Sequence, residues 1–205
     1  MENKATQISK LFPIKSNERV FTAGKTGSGK TTLSFLMTYQ LERLIVIDSK
    51  DGLQEWGLED FNSSSINRIS KAKEYRIRVV DNESALRCME QAYNTGNSFI
   101  YIDEVTALIE PRSRPDKIFY DVWQRGRSRN VGAWAVTQRP VEIPRIFISE
   151  AEHIFMFRLV LPDDRSRVGE FFGNKKINNP VDKYGFYYYN VNSGKLIYNK
   201  GVKLN

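Results

Sequence analysis

The stretch GKTGSGKT, residues 24–31, matches the pattern G-x-x-x-x-G-K-[ST] at every fixed position. Glycines in such a loop let backbone N–H groups curl around phosphate oxygens, and the following helix adds the positive end of its dipole. The flanks agree, because Arg19–Ala23 reads as a short buried strand and residues 32–41 place apolar side chains at helical spacing. The sequence therefore predicts a phosphate-binding loop between a strand and a helix.

This loop pattern assigns a role to individual side chains. The Lys30 ammonium is expected to reach the β- and γ-phosphates of a nucleotide, and the Thr31 hydroxyl is expected to ligate Mg²⁺. ATP with Mg²⁺ is thus the predicted cofactor. The predicted nucleotide contacts are Gly24, Lys25, Thr26, Gly27, Ser28, Gly29, Lys30, Thr31 and Thr32.

Two carboxylates follow a second apolar strand, Phe99–Ile102. The carboxyl ends of parallel strands are where ligands bind in open α/β sheets, so Asp103 and Glu104 should face the same nucleotide. Asp103 is the predicted Mg²⁺ ligand, and Glu104 is placed to orient and deprotonate an attacking water. The adjacent pair favours hydrolysis as the chemistry.

Two signatures of switch-type GTPases are missing. A D-x-x-G motif would need glycine at position 106, which is Thr106, and an N-K-x-D motif is not formed because Ile177 follows Asn174-Lys175-Lys176.

A polar amide, Gln138, follows the apolar strand predicted at residues 133–136. Its side chain is predicted to sense the γ-phosphate or the attacking water.

Three arginines lie in the run QRGRSR, residues 124–129, which precedes the strand predicted at residues 133–136. Their simplest role is to solvate a helix end. The functional alternative is an arginine finger, Arg127, that neutralises charge at a neighbouring subunit's γ-phosphate, with Arg125 and Arg129 as competitors for that role.

Strand and helix signals alternate along the chain, which predicts an α/β fold with a mostly parallel central sheet covered on both faces. Further strands are expected at residues 44–47, 77–80, 133–136 and 153–160, and helices from Asp81 to about Tyr93 and from Asp116. Residues 184–198 read as a β-hairpin. We expect one domain over residues 1–205, with a core at about 17–160 and a helix and hairpin at about 161–205.

Composition limits the function classes. The 205 residues carry a net charge of +7, which suits a polyanionic partner, and basic residues concentrate at 68–78 and 112–117. No apolar run is long enough for a transmembrane helix, and no secretory signal is visible at the start. The single cysteine, Cys88, and the single histidine, His153, are expected to be structural, so no zinc site is predicted.

Together these motifs resemble the FtsK/HerA superfamily of DNA-pumping ATPases. The resemblance runs from about Arg19 to Ile148 and is carried by the phosphate loop, IVIDSK at 45–50, IDE at 102–104, GR at 126–127 and TQRP at 137–140. The spacing of TQRP behind the acid pair is the specific part. The short chain looks most like the viral genome-packaging ATPases of archaeal turreted icosahedral viruses. It departs from the family at Ser49, where proline is usual, and at Asn130, where glycine is frequent.

The resemblance implies a three-layer RecA-like P-loop fold, with Lys30, Thr31, Asp103, Glu104 and Gln138 in the nucleotide site. It also implies a homo-oligomeric, hexameric ring that moves double-stranded DNA into a capsid through a capsid or portal-vertex partner, in the host cytoplasm or the virion. Contacts to DNA would be to phosphates, because such a pump ignores sequence. The residues predicted to make them are Lys71, Lys73, Arg112 and Arg114.

Two other functions stay open at this point. A small-molecule P-loop kinase would need an arginine-bearing lid and an acceptor pocket, and Glu104 together with TQRP argues against it. An ATP-dependent assembly or extrusion protein that does not pump DNA would share the phosphate loop, although such proteins often carry a membrane span.

Overall fold

A computed structural model describes residues 2–62, 64–110, 113–172 and 181–201. The helices within these ranges are α1 (Glu2–Leu11), α2 (Lys30–Thr38), α3 (Ser65–Lys71), α4 (Asn82–Thr95), α5 (Lys117–Tyr120), α6 (Ile146–Ser149) and α7 (Pro162–Phe172). The strands are β1 (Arg19–Ala23), β2 (Arg43–Ile47), β3 (Glu59–Asp60), β4 (Tyr75–Val79), β5 (Ser98–Ile102), β6 (Val131–Thr137), β7 (His153–Phe157), β8 (Phe186–Asn190) and β9 (Lys195–Asn199). None of the described helices is long and apolar enough to cross a bilayer.

All nine of these strands form one sheet in the order β3-β4-β2-β5-β6-β1-β7-β8-β9. Strands β1 to β7 pair in parallel, and β8 and β9 continue the sheet as an antiparallel hairpin beside β7. Parallel pairing places the carboxyl ends of β5, β6 and β1 next to one another at one edge. The predicted α/β sheet and its terminal hairpin are confirmed.

Both faces of the sheet are covered. Along β2, Leu44 and Val46 point into one apolar cluster while Ile45 and Ile47 point into another, and β5 alternates in the same way. Strands buried on both faces read as continuous apolar runs, which is why LIVI and FIYI are recognisable in the sequence. The helices α1 and α2 pack together on one face, and α3 and α4 pack together on the other.

Predicted helix ends agree with the structure at two aspartates. The Asp81 carboxylate accepts a hydrogen bond from the Ser84 amide at 2.8 Å and starts α4, and Asp116 accepts one from the Ile118 amide at 3.0 Å and starts α5. Beyond α5 the geometry changes: Asp121–Arg125 is π-helical and Gly126–Arg129 is a 3₁₀ turn. The predicted strand over residues 153–160 is shorter, because β7 ends at Phe157.

The two residues expected to be structural are both buried. Cys88 lies in α4 with no exposed area, and burial raises the pKa of its thiol to about 12. His153 begins β7 between two partners, with Nε2 2.9 Å from Glu18 Oε2 and Nδ1 2.8 Å from the Tyr188 hydroxyl. Aromatic residues of β8 are buried against β7 and against Phe12, which directly follows α1, as expected for packing.

Candidate functional site

The predicted site residues meet at the carboxyl edge of three adjacent strands. The phosphate loop follows β1, Gln138 follows β6, and Asp103 and Glu104 follow β5. Because β6 lies between β5 and β1, the glutamine stands between the acid pair and the loop. The topology therefore brings together motifs that are far apart in sequence.

The phosphate loop is anchored to the strands on both sides of β1. The Gly24 amide donates to the Thr137 carbonyl at 3.2 Å, and the Lys25 amide donates to the Arg158 carbonyl at 2.9 Å. A Cβ at position 24 would lie 2.5 Å from Cβ of Phe157, so only glycine lets the loop approach β7 this closely. Gly29 has a φ of 99°, the left-handed region, and turns the chain into α2.

Several polar groups of the loop lack partners. In the described part of the chain, no hydrogen bond uses the amides of Thr26, Gly27 or Gly29. The Ser28 hydroxyl is buried, and it too has no hydrogen-bond partner among those residues. The first amides of a helix have no partner within the helix, so the start of α2 adds further donors. Unpaired donors at a helix N-terminus fit an anionic phosphate.

Lys30 folds back on the loop. Its Nζ donates to the Gly24 carbonyl at 2.7 Å and to the Lys25 carbonyl at 3.0 Å, and the residue is 8% exposed. Burial lowers the pKa of the ammonium from 10.5 to about 8, although the negative charges of Glu104 and Asp103 oppose this effect. The lysine is therefore a buried cation whose charge a phosphate would stabilise.

Nucleotide affinity should fall as the pH rises above about 8. In the free protein Lys30 loses its proton there, whereas a bound triphosphate favours the ammonium, so binding must take up a proton. Well above that pH the loss approaches tenfold in affinity per pH unit. Titration of a non-hydrolysable ATP analogue between about pH 7.5 and 9.5 measures it. A dissociation constant that stays flat across this range contradicts the expectation, and Lys30→Arg, which keeps its charge, should remove the dependence.

Glu104 is held by donors from three strand ends. Oε1 accepts from the Thr106 hydroxyl at 3.0 Å and from the Gln138 amide at 3.3 Å, and Oε2 lies 3.2 Å from Lys50 Nζ. The residue is only 4% exposed. A buried, oriented carboxylate at the edge that carries the phosphate loop has the placement needed for a general base.

Gln138 touches both halves of the site. Its side-chain carbonyl Oε1 accepts from the Thr26 hydroxyl at 2.6 Å, and its backbone amide donates to Glu104. One residue therefore contacts both the loop and the carboxylate. This geometry suits a side chain that senses the γ-phosphate.

Asp103 lies beside Glu104 and accepts from the Tyr101 hydroxyl at 2.8 Å. Burial, and after it the neighbouring Asp48, raise the pKa of its carboxyl group, so a cation at this place would stabilise the ionised form. No set of three or more His, Cys, Asp or Glu side chains suited to a metal occurs among the described residues. Mg²⁺ is usually bound by one or two carboxylates together with substrate phosphates.

Arg127 does not lie at this site in its own chain. It belongs to the 3₁₀ turn that precedes β6, at the opposite edge of the sheet, where Nη1 is 3.6 Å from Glu152 Oε1. Arg125 pairs with Asp121, and Arg129 stacks on the Tyr93 ring. All three residues are exposed, and all three precede β6, away from their own phosphate loop.

The predicted DNA contacts are split between two edges. Lys71 and Lys73 are exposed just before β4, at the edge opposite the nucleotide site, whereas Arg114 is exposed in the segment after β5, on the nucleotide edge. Arg112 lies outside the described residues.

Most of the basic cluster at 68–78 is not a free cationic surface. Arg68 pairs with Glu59 and Arg78 with Asp48, Asp51 and Asp60, while Arg76 donates to backbone carbonyls at the end of α2. Charge counting along the sequence overlooks such partners. Of the five bases in this cluster, only Lys71 and Lys73 remain as candidates for contact with a polyanion.

Sequence reasoning gave no role to three residues that contact the acid pair: Thr106, whose contact is described above, and two others. Lys50 reaches Glu104 from the end of β2, and Tyr101, fully buried in β5, donates to Asp103. The signal for Lys50 was its place directly after an apolar strand, which puts it on the same sheet edge. Tyr101 looked like an ordinary core residue of FIYI.

No model of a known protein family matches the chain. The DNA packaging ATPase P9 of Enterobacteria phage PRD1 is 26% identical over 197 residues, which cover 88% of this chain and 85% of P9. The genome packaging NTPase B204 of Sulfolobus turreted icosahedral virus 2, solved with AMPPCP, matches with a TM-score of 0.77 and 17% identity over 92% of this chain and 100% of B204. The pCW3 conjugation coupling protein TcpA matches with a TM-score of 0.61 and 14% identity, over 90% of this chain and 59% of TcpA.

These likenesses agree with the geometry. The solved structures share the fold over nearly the whole chain, and the phage protein shares sequence over most of it. The phosphate loop, the acid pair and the intervening glutamine all occupy one edge of that fold. Fold, motif positions and the phage relative together support an FtsK/HerA-like ATPase of the viral packaging type.

Proposed function

We propose that this protein hydrolyses ATP with Mg²⁺ to drive double-stranded viral DNA into a capsid, as one subunit of a homo-oligomeric ring. The observation that carries the proposal is the continuous contact from Thr26 through Gln138 to Glu104, because it joins the phosphate loop, the sensor and the base. The similarity to the DNA packaging ATPase P9 of phage PRD1 supports the choice of DNA as the cargo.

The chain's own residues divide the work. The loop amides and Lys30 hold the phosphates, and Lys30 exchanges its two carbonyl partners for phosphate oxygens. Thr31 and Asp103 would hold Mg²⁺, which neutralises charge on the β- and γ-phosphate oxygens. Glu104 takes the proton of the attacking water. Gln138 contacts the γ-phosphate while ATP is bound. When the γ-phosphate leaves, this contact is lost and the carboxyl end of β6 can shift.

The ring is proposed because Arg127 is exposed at the edge opposite its own site. An arginine finger in that position can serve only a neighbouring subunit.

Lys71, Lys73 and Arg114 are proposed to contact DNA phosphates, and Arg112 is proposed from its sequence position alone. The capsid or portal-vertex partner, a six-subunit ring and action in the host cytoplasm or virion follow from the resemblance.

The deciding experiment is ATP turnover with and without double-stranded DNA over a series of salt concentrations, together with the oligomer mass. Stimulation that weakens as salt rises is expected, because phosphate contacts release counterions. Turnover that ignores DNA at every salt concentration would favour the ATP-dependent assembly protein. Phosphate transfer only to a small acceptor would favour the kinase.

The nucleoside is expected beside Tyr184. With the γ-phosphate facing the acid pair on β5, the other end of the nucleotide points toward β7 and β8, and Tyr184 Cδ1 lies 3.7 Å from where a Cβ of Gly29 would be. The ring is half exposed, at 51%. Because stacking on a base contributes about 1–3 kcal/mol, Tyr184→Ala should raise the KM for ATP about tenfold.

Inhibition by tripolyphosphate separates this contact from phosphate binding, since tripolyphosphate has no base. Its inhibition constant should be the same in Tyr184→Ala and the wild type. Tyr39→Ala is the matched control, because Tyr39 is also partly exposed, at 40%, but lies at the far end of α2. Equal weakening of ATP and tripolyphosphate by Tyr184→Ala would refute the placement.

A further inference from the structure

The turn that follows β2, residues 48–52, is fixed by several side-chain contacts. The fully buried Asp48 carboxylate accepts from the Gly52 amide at 3.0 Å and from the Leu53 amide at 2.8 Å. Arg78 clamps it from β4, with Nη1 3.2 Å from Asp48 Oδ2 and 2.5 Å from Asp51 Oδ1. The turn is therefore held at both its start and its middle.

Asp51 adds backbone strain to this arrangement. Its φ is 51°, in the left-handed region that residues other than glycine rarely adopt. Such conformations persist only where surrounding contacts enforce them, and they cluster at functional sites. A rigid, strained turn at the carboxyl edge of the sheet indicates that a residue of this turn has a functional role.

That residue is Lys50. Its ammonium lies 3.2 Å from Glu104 Oε2, and its side chain is 48% exposed while that of Glu104 is 5% exposed. The other two donors to Glu104, the Thr106 hydroxyl and the Gln138 amide, are neutral and both contact Oε1. Within the described ranges, Lys50 is the cation that pairs with this carboxylate in the hydrogen-bonded network.

We infer that Lys50 is a positioning residue for the general base, an inference that rests on the proposed function. Strands β2 and β6 flank β5, so Lys50 and Gln138 contact the Glu104 carboxylate from opposite sides. Two contacts on Oε1 alone leave the carboxylate free to swing about them. The charged contact on Oε2 stops that rotation and compensates a buried charge.

Replacement of Lys50 by methionine keeps the side chain's length but removes the ammonium. The kcat for ATP should fall about tenfold, because misplaced catalytic groups lose rate, while the KM for ATP stays within about twofold. Lys50→Arg should recover most of the rate. Lys195→Met, on the exposed hairpin, is the matched control and should behave as wild type. Thermal unfolding of each variant verifies that the fold is kept.

A double variant distinguishes this inference from the proposed function. If Lys50 acts through Glu104, Lys50→Met should change the residual turnover of Glu104→Gln by less than about twofold, since contacting residues are not additive. Full turnover in Glu104→Gln would overturn the proposed general base itself. With that base upheld, an unchanged kcat in Lys50→Met, an equal loss in Lys50→Arg, or a further tenfold loss in the double variant would overturn the role of Lys50.

Discussion

The Glu104→Gln protein is expected to lose at least about 10²-fold in the rate of ATP hydrolysis while it still binds ATP. An amide does not accept the proton of the attacking water, yet it has the shape of the carboxylate. Its oxygen can keep the Thr106 and Gln138 contacts now made by Oε1. Its NH₂ group would face the Lys50 ammonium, donor against donor, so that one contact is lost.

Two measurements verify this expectation. Single-turnover phosphate release gives the chemical step, and titration with a non-hydrolysable analogue gives the affinity. Glu110→Gln is the matched control, because Glu110 is an exposed acid in the same segment after β5. If Glu104→Gln hydrolyses ATP as fast as this control, the base is another residue, and the site must be reassigned.

Much of the fold and of the candidate site could be predicted from local patterns in the sequence. The phosphate loop was recognisable because its chemistry needs fixed residue types at fixed spacing, and the Asp103-Glu104 pair because it ends a continuous apolar strand. Gln138 could be placed because parallel strands in one sheet share a carboxyl edge. The alternation of strands and helices fixed the sheet and its covered faces in the same way.

Contacts between distant segments could not be predicted. Thr26 and Gln138 are 112 residues apart and Lys50 and Glu104 are 54 apart, so only the strand order brings them together. The pairing of Arg78 with three aspartates could not be predicted for the same reason, so the basic residues at 68–78 were interpreted as a free cationic surface.

Two helical features were missed for different reasons. Ala5, Ile8 and Phe12 have helical spacing, a signal for α1 that its polar neighbours obscured. The π-helical Asp121–Arg125 changes the turn without changing the apolar pattern, because Val122 and Trp123 remain buried. Periodicity finds a helix more readily than its exact geometry.

Arg127→Ala should lower ATP turnover about 10³-fold, as expected for the loss of an arginine finger, and leave nucleotide affinity intact. In its own chain Arg127 precedes β6, and Gln138 follows that strand. The two ends of β6 are about 20 Å apart, since each strand residue advances about 3.3 Å. A direct effect on the same subunit's phosphates is therefore excluded by distance. Arg125→Ala and Arg129→Ala, tested in parallel, identify which arginine of the run is the finger.

Mixing subunits decides whether the arginine acts on a neighbour. Lys30→Ala subunits lack the phosphate contact but keep Arg127, and Arg127→Ala subunits keep Lys30. In a head-to-tail ring assembled at random from equal parts, about a quarter of the interfaces would join an intact site to an intact finger. Activity should reappear on mixing although neither variant is active alone. A mixture as inactive as its parts, in rings shown by mass to contain both subunits, would exclude a finger in trans and leave Arg127 with only its Glu152 contact.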